Sequence, residues 1–135
     1  MESLLEAVEP FHELLGFIFY TPGGKPHGLG LTDRQMREMP GAVTGPIHEA
    51  TMNQAIANLY QRMDRERYHI IGVGGIFTAE EAYRKIRLGA SLVQLYTALV
   101  YCGPGVVRDI NRGLIELLDR DGFHGVADAV GVEIP

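Results

Sequence analysis

The chain has 135 residues, 46% hydrophobic and 21% charged, with a mean hydropathy of +0.01; this excludes a disordered tail or a collagen-like rod and provides for a compact core. Twelve Lys and Arg against seventeen Asp and Glu give a net charge of −5, which excludes a large basic footprint for nucleic acid. No apolar stretch approaches the roughly 20 residues of a membrane helix, Met1-Glu2-Ser3 lacks a basic-then-apolar leader, and the single Cys102 excludes an internal disulfide or a cysteine-built zinc cage.

In chain order, Leu4 to Leu15 is an amphipathic segment interrupted by Pro10. The run Leu15-Gly16-Phe17-Ile18-Phe19-Tyr20 reads as a buried strand. Residues 46 to 63 repeat Ile47, Ala50, Met52, Ile56, Leu59 and Tyr60 at helical spacing, with Pro46 placed to open the helix. A second strand follows in His69-Ile70-Ile71-Gly72-Val73. Thr78 then caps a helix whose Glu81 completes a capping box and which stops near Gly89. Ser91-Leu92-Val93-Gln94-Leu95-Tyr96 is the third strand. The last long helix runs from about Gly105 to Arg120, with Val107, Ile110, Leu114, Leu117 and Leu118 facing inward, and Asp121-Gly122 stops it.

Strands alternating with helices predict βαβ units, right-handed crossovers and a parallel sheet covered on both faces. The fold class is α/β.

Two strand ends carry chemistry. Gly72-Val73-Gly74-Gly75-Ile76 leads into the capped helix, and Tyr96-Thr97 ends a strand shortly before Gly103-Pro104-Gly105. Glycines there let backbone N–H groups approach an anion at a helix N-terminus. In a (β/α)8 barrel the loops after the seventh and eighth strands form the common phosphate site. The same glycines are also what tight βα turns require, and from pattern alone both readings stand.

The stretch from Ile70 through Gly75-Ile76-Phe77-Thr78 to Gly89-Ala90-Ser91-Leu92-Val93-Gln94-Leu95-Tyr96-Thr97 closely resembles the C-terminal part of dihydroorotate dehydrogenase, in its quinone-dependent class. The resemblance continues through Gly103-Pro104-Gly105-Val106-Val107, Leu117 to Phe123, and Ala127-Asp128-Ala129-Val130-Gly131. It implies an FMN-containing (β/α)8 barrel that oxidises dihydroorotate to orotate in pyrimidine synthesis and passes electrons to a quinone. Under it, Gly75 with its neighbour Gly74, Tyr96 and Thr97 hold the flavin phosphate. Gly45, in Gly41-Ala42-Val43-Thr44-Gly45-Pro46, belongs to a glycine loop near the flavin, where Ala42 departs from the family's Gly-Gly-Leu-Ser-Gly-Pro-like pattern.

Tyr20-Thr21-Pro22 stands where the family has Thr-Asn-Thr, so Thr21 is at best a partial substitute for a substrate contact. The family's serine base, flavin-contacting lysine and substrate asparagines lie in earlier strands that this sequence does not contain, so no residue here is assigned as catalytic. A full barrel needs about 250 residues. The chain is therefore expected to be a partial (β/α)8 barrel: residues 1–135 as one C-terminal half, about three parallel strands with flanking helices, forming the FMN-phosphate-binding part. Met1 falls in the helix before the family's sixth strand.

Such a half meets dihydroorotate or orotate only when an N-terminal half complements it, and its open sheet edges allow a homo-oligomer. The alternatives are a non-catalytic flavin- or phosphate-binding half barrel and a decayed fragment. The resemblance places the protein in the cytoplasm, or at a membrane surface through an N-terminal part.

The remaining residues have plainer readings. The five histidines His12, His27, His48, His69 and His124 lack metal-ligand spacing and read as surface or core residues. Cys102 reads as a packed thiol, because the related class with a cysteine base places it in another loop. Lys25 reads as a solvated loop lysine, the run 62–67 as a helix end with a solvent-facing loop, and Tyr60 and Tyr83 as packing residues.

Overall fold

The structure, a computed structural model, describes residues 2–18, 25 and 30–135. Helix α1 (Glu2–Val8) precedes strand β1 (Gly16–Ile18), and α2 (Asp33–Glu38) follows. A 3-10 turn at Pro46–His48 runs directly into α3 (Glu49–Tyr60). Then come β2 (His69–Val73), α4 (Ala79–Arg87), β3 (Leu92–Gln94), α5 (Thr97–Cys102), α6 (Gly105–Asp121) and α7 (Val126–Ala129). Among the described residues the strands form one sheet in the order β1-β2-β3, parallel throughout. Phe17 is in register with Ile70 and Ile71 with Leu92. The predicted βαβ alternation is thus the observed one.

Helices cover one face of this sheet in two apolar clusters. Ile56, Leu59, Met63, Tyr68, Ile70 and Ala90 pack with Phe17, Leu14, Val8 and Leu5 around α3 and β2. Ile76, Tyr83, Ile86, Ile110, Leu114 and Leu118 join α4 to α6. The α4 capping box forms as predicted: Thr78 accepts from the Glu81 amide, and Glu81 returns to the Thr78 amide at 2.9 Å. At the other end of α4, Arg87 bridges Asp121 and Glu133 at 3.5 and 3.1 Å, fastening the C-terminal segment. The Arg120 guanidinium and the Tyr83 hydroxyl hold the Asp121 carboxyl down at about 2.

Several sequence expectations are corrected here. The first segment is helical only to Val8. Strand β1 starts at Gly16, one residue later than predicted, and the predicted Phe19 and Tyr20 lie outside the described residues, as does Thr21. Strand β3 ends at Gln94, because Tyr96 already caps a further helix, α5. On α6 the inward residue is Val106, while Val107 is exposed.

Cys102 is an exposed thiol, not a packed one, because α5 lies at the rim with Val100 and Tyr101 also turned outward. Lys25 is engaged: its amine donates to the Met36 carbonyl at 2.6 Å and to that of Met39, satisfying the C-terminal end of α2. Tyr83 is buried and donates to Asp121 at 2.9 Å, and Tyr60 lies half-buried with its hydroxyl toward the Val130 carbonyl at 3.4 Å.

Candidate functional site

Parallel strands bring their carboxyl ends to the same side of a sheet, where ligands collect in α/β folds. Here β2 ends at Val73 and β3 at Gln94, a pair in direct register. A cavity of about 300 Å³ opens at that rim. Gly74 and Gly75 form its floor beyond β2, and Tyr96 and Thr97 flank it beyond β3. Gly45 and Thr44 close it from the segment before α3. The five residues singled out from sequence, Gly45, Gly74, Gly75, Tyr96 and Thr97, therefore wall one space although they come from three separated segments. Thr21 lies outside the described residues.

Each wall has a local cause. Gly74 and Gly75 take φ of +88° and +70°, which turns the chain sharply between β2 and the Thr78 cap. At Gly75 a side chain is excluded outright. A Cβ there would stand 2.6 Å from Glu49 Cβ and 2.8 and 2.9 Å from the backbone Cα and N of Glu49. The turn thus lies directly on the start of α3, and packing alone requires this glycine. Gly45 caps the 3-10 turn, with Pro46 supplying the preset φ of its first position.

Two contacts brace the loop that carries Gly45, one from α5 and one from within the same segment. The Thr97 hydroxyl donates to Thr44 Oγ1 at 3.1 Å, joining α5 to a residue 53 positions earlier. His48 is buried, and its Nε2 lies 2.5 Å from the Val43 carbonyl. A carbonyl only accepts, so Nε2 carries the proton in this contact. His48 also lines the cavity, as do Gln94 and Ile18. Sequence reading missed His48 and Thr44 as parts of the site. The only available signal was their position beside Gly45 and Pro46.

Among the described residues no lysine or arginine lines the cavity. The hydrogen-bond donors at this rim are the first amides of α5, which have no partner within that helix, the amides of the Gly74-Gly75 turn, and the threonine and tyrosine hydroxyls. Glu49, the acid nearest Gly75, is paired with Arg84 and so presents less uncompensated charge to the site. That donor set suits a compact, multiply charged oxygen anion.

His48→Ala is expected to lower stability by about 2 kcal/mol through the lost hydrogen bond and the space left behind. His48→Gln, whose amide can still donate to Val43, is expected to recover about half of this. Urea unfolding of both variants provides the check, and equal losses would remove the bracing role.

Comparison with known proteins bears on the family and the fold. The family model for dihydroorotate dehydrogenase matches residues 26–118. A dihydroorotate dehydrogenase (quinone) of Halobacterium salinarum is 52% identical over 134 residues, which is 98% of this chain and 37% of that protein. The protein of the same description from Deinococcus radiodurans is 46% identical over 95 residues, 70% of this chain and 26% of its own length. A crystal structure of DHODH from Eimeria tenella in complex with ferulenol superposes with a TM-score of 0.81 at 30% identity, covering 96% of this chain and 34% of that one. The ligand-free form from the same organism gives 0.79 at 29% identity. The matched span is 26–37% of the length of these relatives.

Proposed function

The chain belongs to the dihydroorotate dehydrogenase family, and we propose that it supplies the FMN-phosphate-binding part of an enzyme oxidising dihydroorotate to orotate with a quinone as acceptor. Its fold is that of a partial (β/α)8 barrel, three parallel strands with their helices. The family is flavin-dependent, so the question for this chain is whether its own residues suit the cofactor.

One observation carries the reading: Gly45, Gly74, Gly75, Tyr96 and Thr97 converge on a single cavity at the carboxyl end of the sheet. Backbone amides and hydroxyls without a neighbouring carboxylate of free charge fit a terminal phosphate. A cavity of about 300 Å³ lies at the lower limit of the roughly 300–1,000 Å³ of small-molecule sites. It therefore suits one end of a flavin nucleotide. When bound, the flavin would accept the hydride. This chain's part is to fix the phosphate end and so orient the ring. With none of its residues assigned as an acid or base for dihydroorotate, the chain alone is expected to turn over no substrate.

The test is titration of the chain with FMN and with riboflavin, followed by flavin fluorescence. Saturable binding of FMN, at least tenfold tighter than riboflavin and relieved by inorganic phosphate, supports the reading. Equal affinities would mean that the phosphate end is not recognised. No helix among the described residues is long and apolar enough to cross a membrane.

A further inference from the structure

His48 stands in the cavity wall with one ring nitrogen uncommitted. The residue is 7% exposed, and its Nε2 donates to the Val43 carbonyl. In this tautomer Nδ1 is a bare acceptor, and it has no partner among the described residues. Among those residues the side-chain atoms both sealed from solvent and unpartnered are the Tyr68 hydroxyl and Arg87 Nε. Nδ1 is therefore not sealed in, and the open space that His48 meets is the cavity. His48 also stands against the glycine turn, since a Cβ on Gly74 would lie 3.8 Å from His48 Cβ.

Bracing uses Nε2 alone and leaves Nδ1 without a function. The oxygens of a doubly ionised phosphate only accept hydrogen bonds, and a neutral Nδ1 only accepts as well. The two are mismatched until Nδ1 takes a proton, which makes it a charge-assisted donor and leaves the Nε2 bond to Val43 intact. Histidine changes charge between about pH 5 and 8, so that proton is available near neutrality. Among the described residues no lysine or arginine lines the cavity, and an imidazolium here would be its one cationic side chain.

We propose that His48 contacts the phosphate and takes up a proton at Nδ1 when the site fills, so that flavin-nucleotide binding is coupled to proton uptake. This role presupposes the phosphate site proposed above. The proton comes from solvent and stays on the ring while the ligand is bound, and no covalent bond to the phosphate is made or broken. The charged groups around His48 do not replace this cation. Glu49, its chain neighbour, is paired with Arg84 of α4. Glu81 of α4 accepts from the Phe77 and Thr78 amides, and Lys85 donates to Asn53. Tyr96 is the other titratable side chain on the cavity wall, and a phenol carries no positive charge.

The test measures FMN and riboflavin affinity of the full chain and of His48→Gln from pH 6.5 to pH 8.5 by flavin fluorescence. Calorimetry at pH 7.5, in two buffers of different ionisation enthalpy, counts the protons taken up with FMN. The parent chain is expected to bind FMN about tenfold more weakly at pH 8.5 than at pH 6.5, and to take up roughly half a proton or more at pH 7.5. The second ionisation of a phosphate ester, at about 6, works the other way by giving more dianion as pH rises. His48→Gln keeps a donor for Val43 but does not titrate, so its FMN affinity is expected to change by less than about twofold over the same range.

A flat FMN profile, the same slope in His48→Gln, or no net proton uptake by the parent would each overturn the role of His48. With FMN still bound more tightly than riboflavin, those results leave the phosphate site standing. FMN bound no better than riboflavin at any of these pH values would overturn both. The proton count needs no variant and so decides the matter even if His48→Gln fails to fold.

Discussion

Replacing Gly75 with alanine is expected to cost about 3 kcal/mol of stability, combining left-handed backbone strain with overpacking. For a domain of this size that is a fall in melting temperature of roughly 10 °C. The cause is the pair of conditions at one residue: φ of +70°, and a Cβ forced to within 2.9 Å of Glu49 backbone nitrogen. The atoms met belong to the first turn of α3, which cannot swing aside as the end of a flexible side chain can. Gly122→Ala separates the two conditions. Gly122 has φ of +79°, but nothing stands within 4 Å of its Cβ. Only the backbone penalty of about 1 kcal/mol is expected there.

The same replacement moves the cavity floor, so FMN affinity is expected to fall along with stability. Thermal unfolding of both variants, with FMN titration well below the transition, checks the pair. If Gly75→Ala unfolds like Gly122→Ala, the contact with α3 is not the constraint described here.

Gly75 also illustrates what the sequence made legible. A strand, two glycines, a threonine cap and a glutamate three residues on are all local signals, and the turn they imply is present. Residues joined across the chain were not readable. Thr97 meets Thr44 across 53 positions, and Lys25 reaches the Met36 carbonyl at the end of α2. No periodicity encodes such pairings.

The short helix α5 was missed because Thr97-Ala98-Leu99-Val100 continues the apolar run of the strand before it. Val107 misled for a related reason. Its apolar character was read correctly, but the surface it belongs to is the open groove beside β3 and not the core formed by Val106, Ile110 and Leu114. Hydrophobic pattern reports that a residue is suited to burial. It does not identify which partner buries it.

Stability is expected to rise between pH 8 and pH 10, and Lys85 is the reason. This α4 residue is fully buried, its amine donating to Asn53 Oδ1 on α3 at 2.7 Å. Burial pushes the amine from its ordinary 10.5 down to about 8, against the opposing pull of Glu49 and Glu81. Below pH 8 the amine is protonated in both states, and the folded chain carries the full cost of a buried charge. Between about 8 and 10.5 the unfolded chain binds the proton that the folded chain has released, so stability increases with pH. Each pH unit inside that window corresponds to about 1.4 kcal/mol, or about 2–3 kcal/mol from pH 8 to pH 10.

Burial and the hydrogen bond to Asp121 raise the Tyr83 phenol above its ordinary 10. It therefore favours the fold at lower pH and opposes the lysine effect only above pH 10. Lys85→Met keeps the volume, removes the charge and leaves Asn53 without its donor, a loss of about 1 kcal/mol that does not vary with pH. Relative to the parent chain the variant should thus become steadily worse from pH 8 to pH 10. Urea midpoints at pH 7, 8, 9 and 10 measure this difference directly. Parallel curves for parent and variant would show that the amine retains its ordinary affinity for the proton inside the fold.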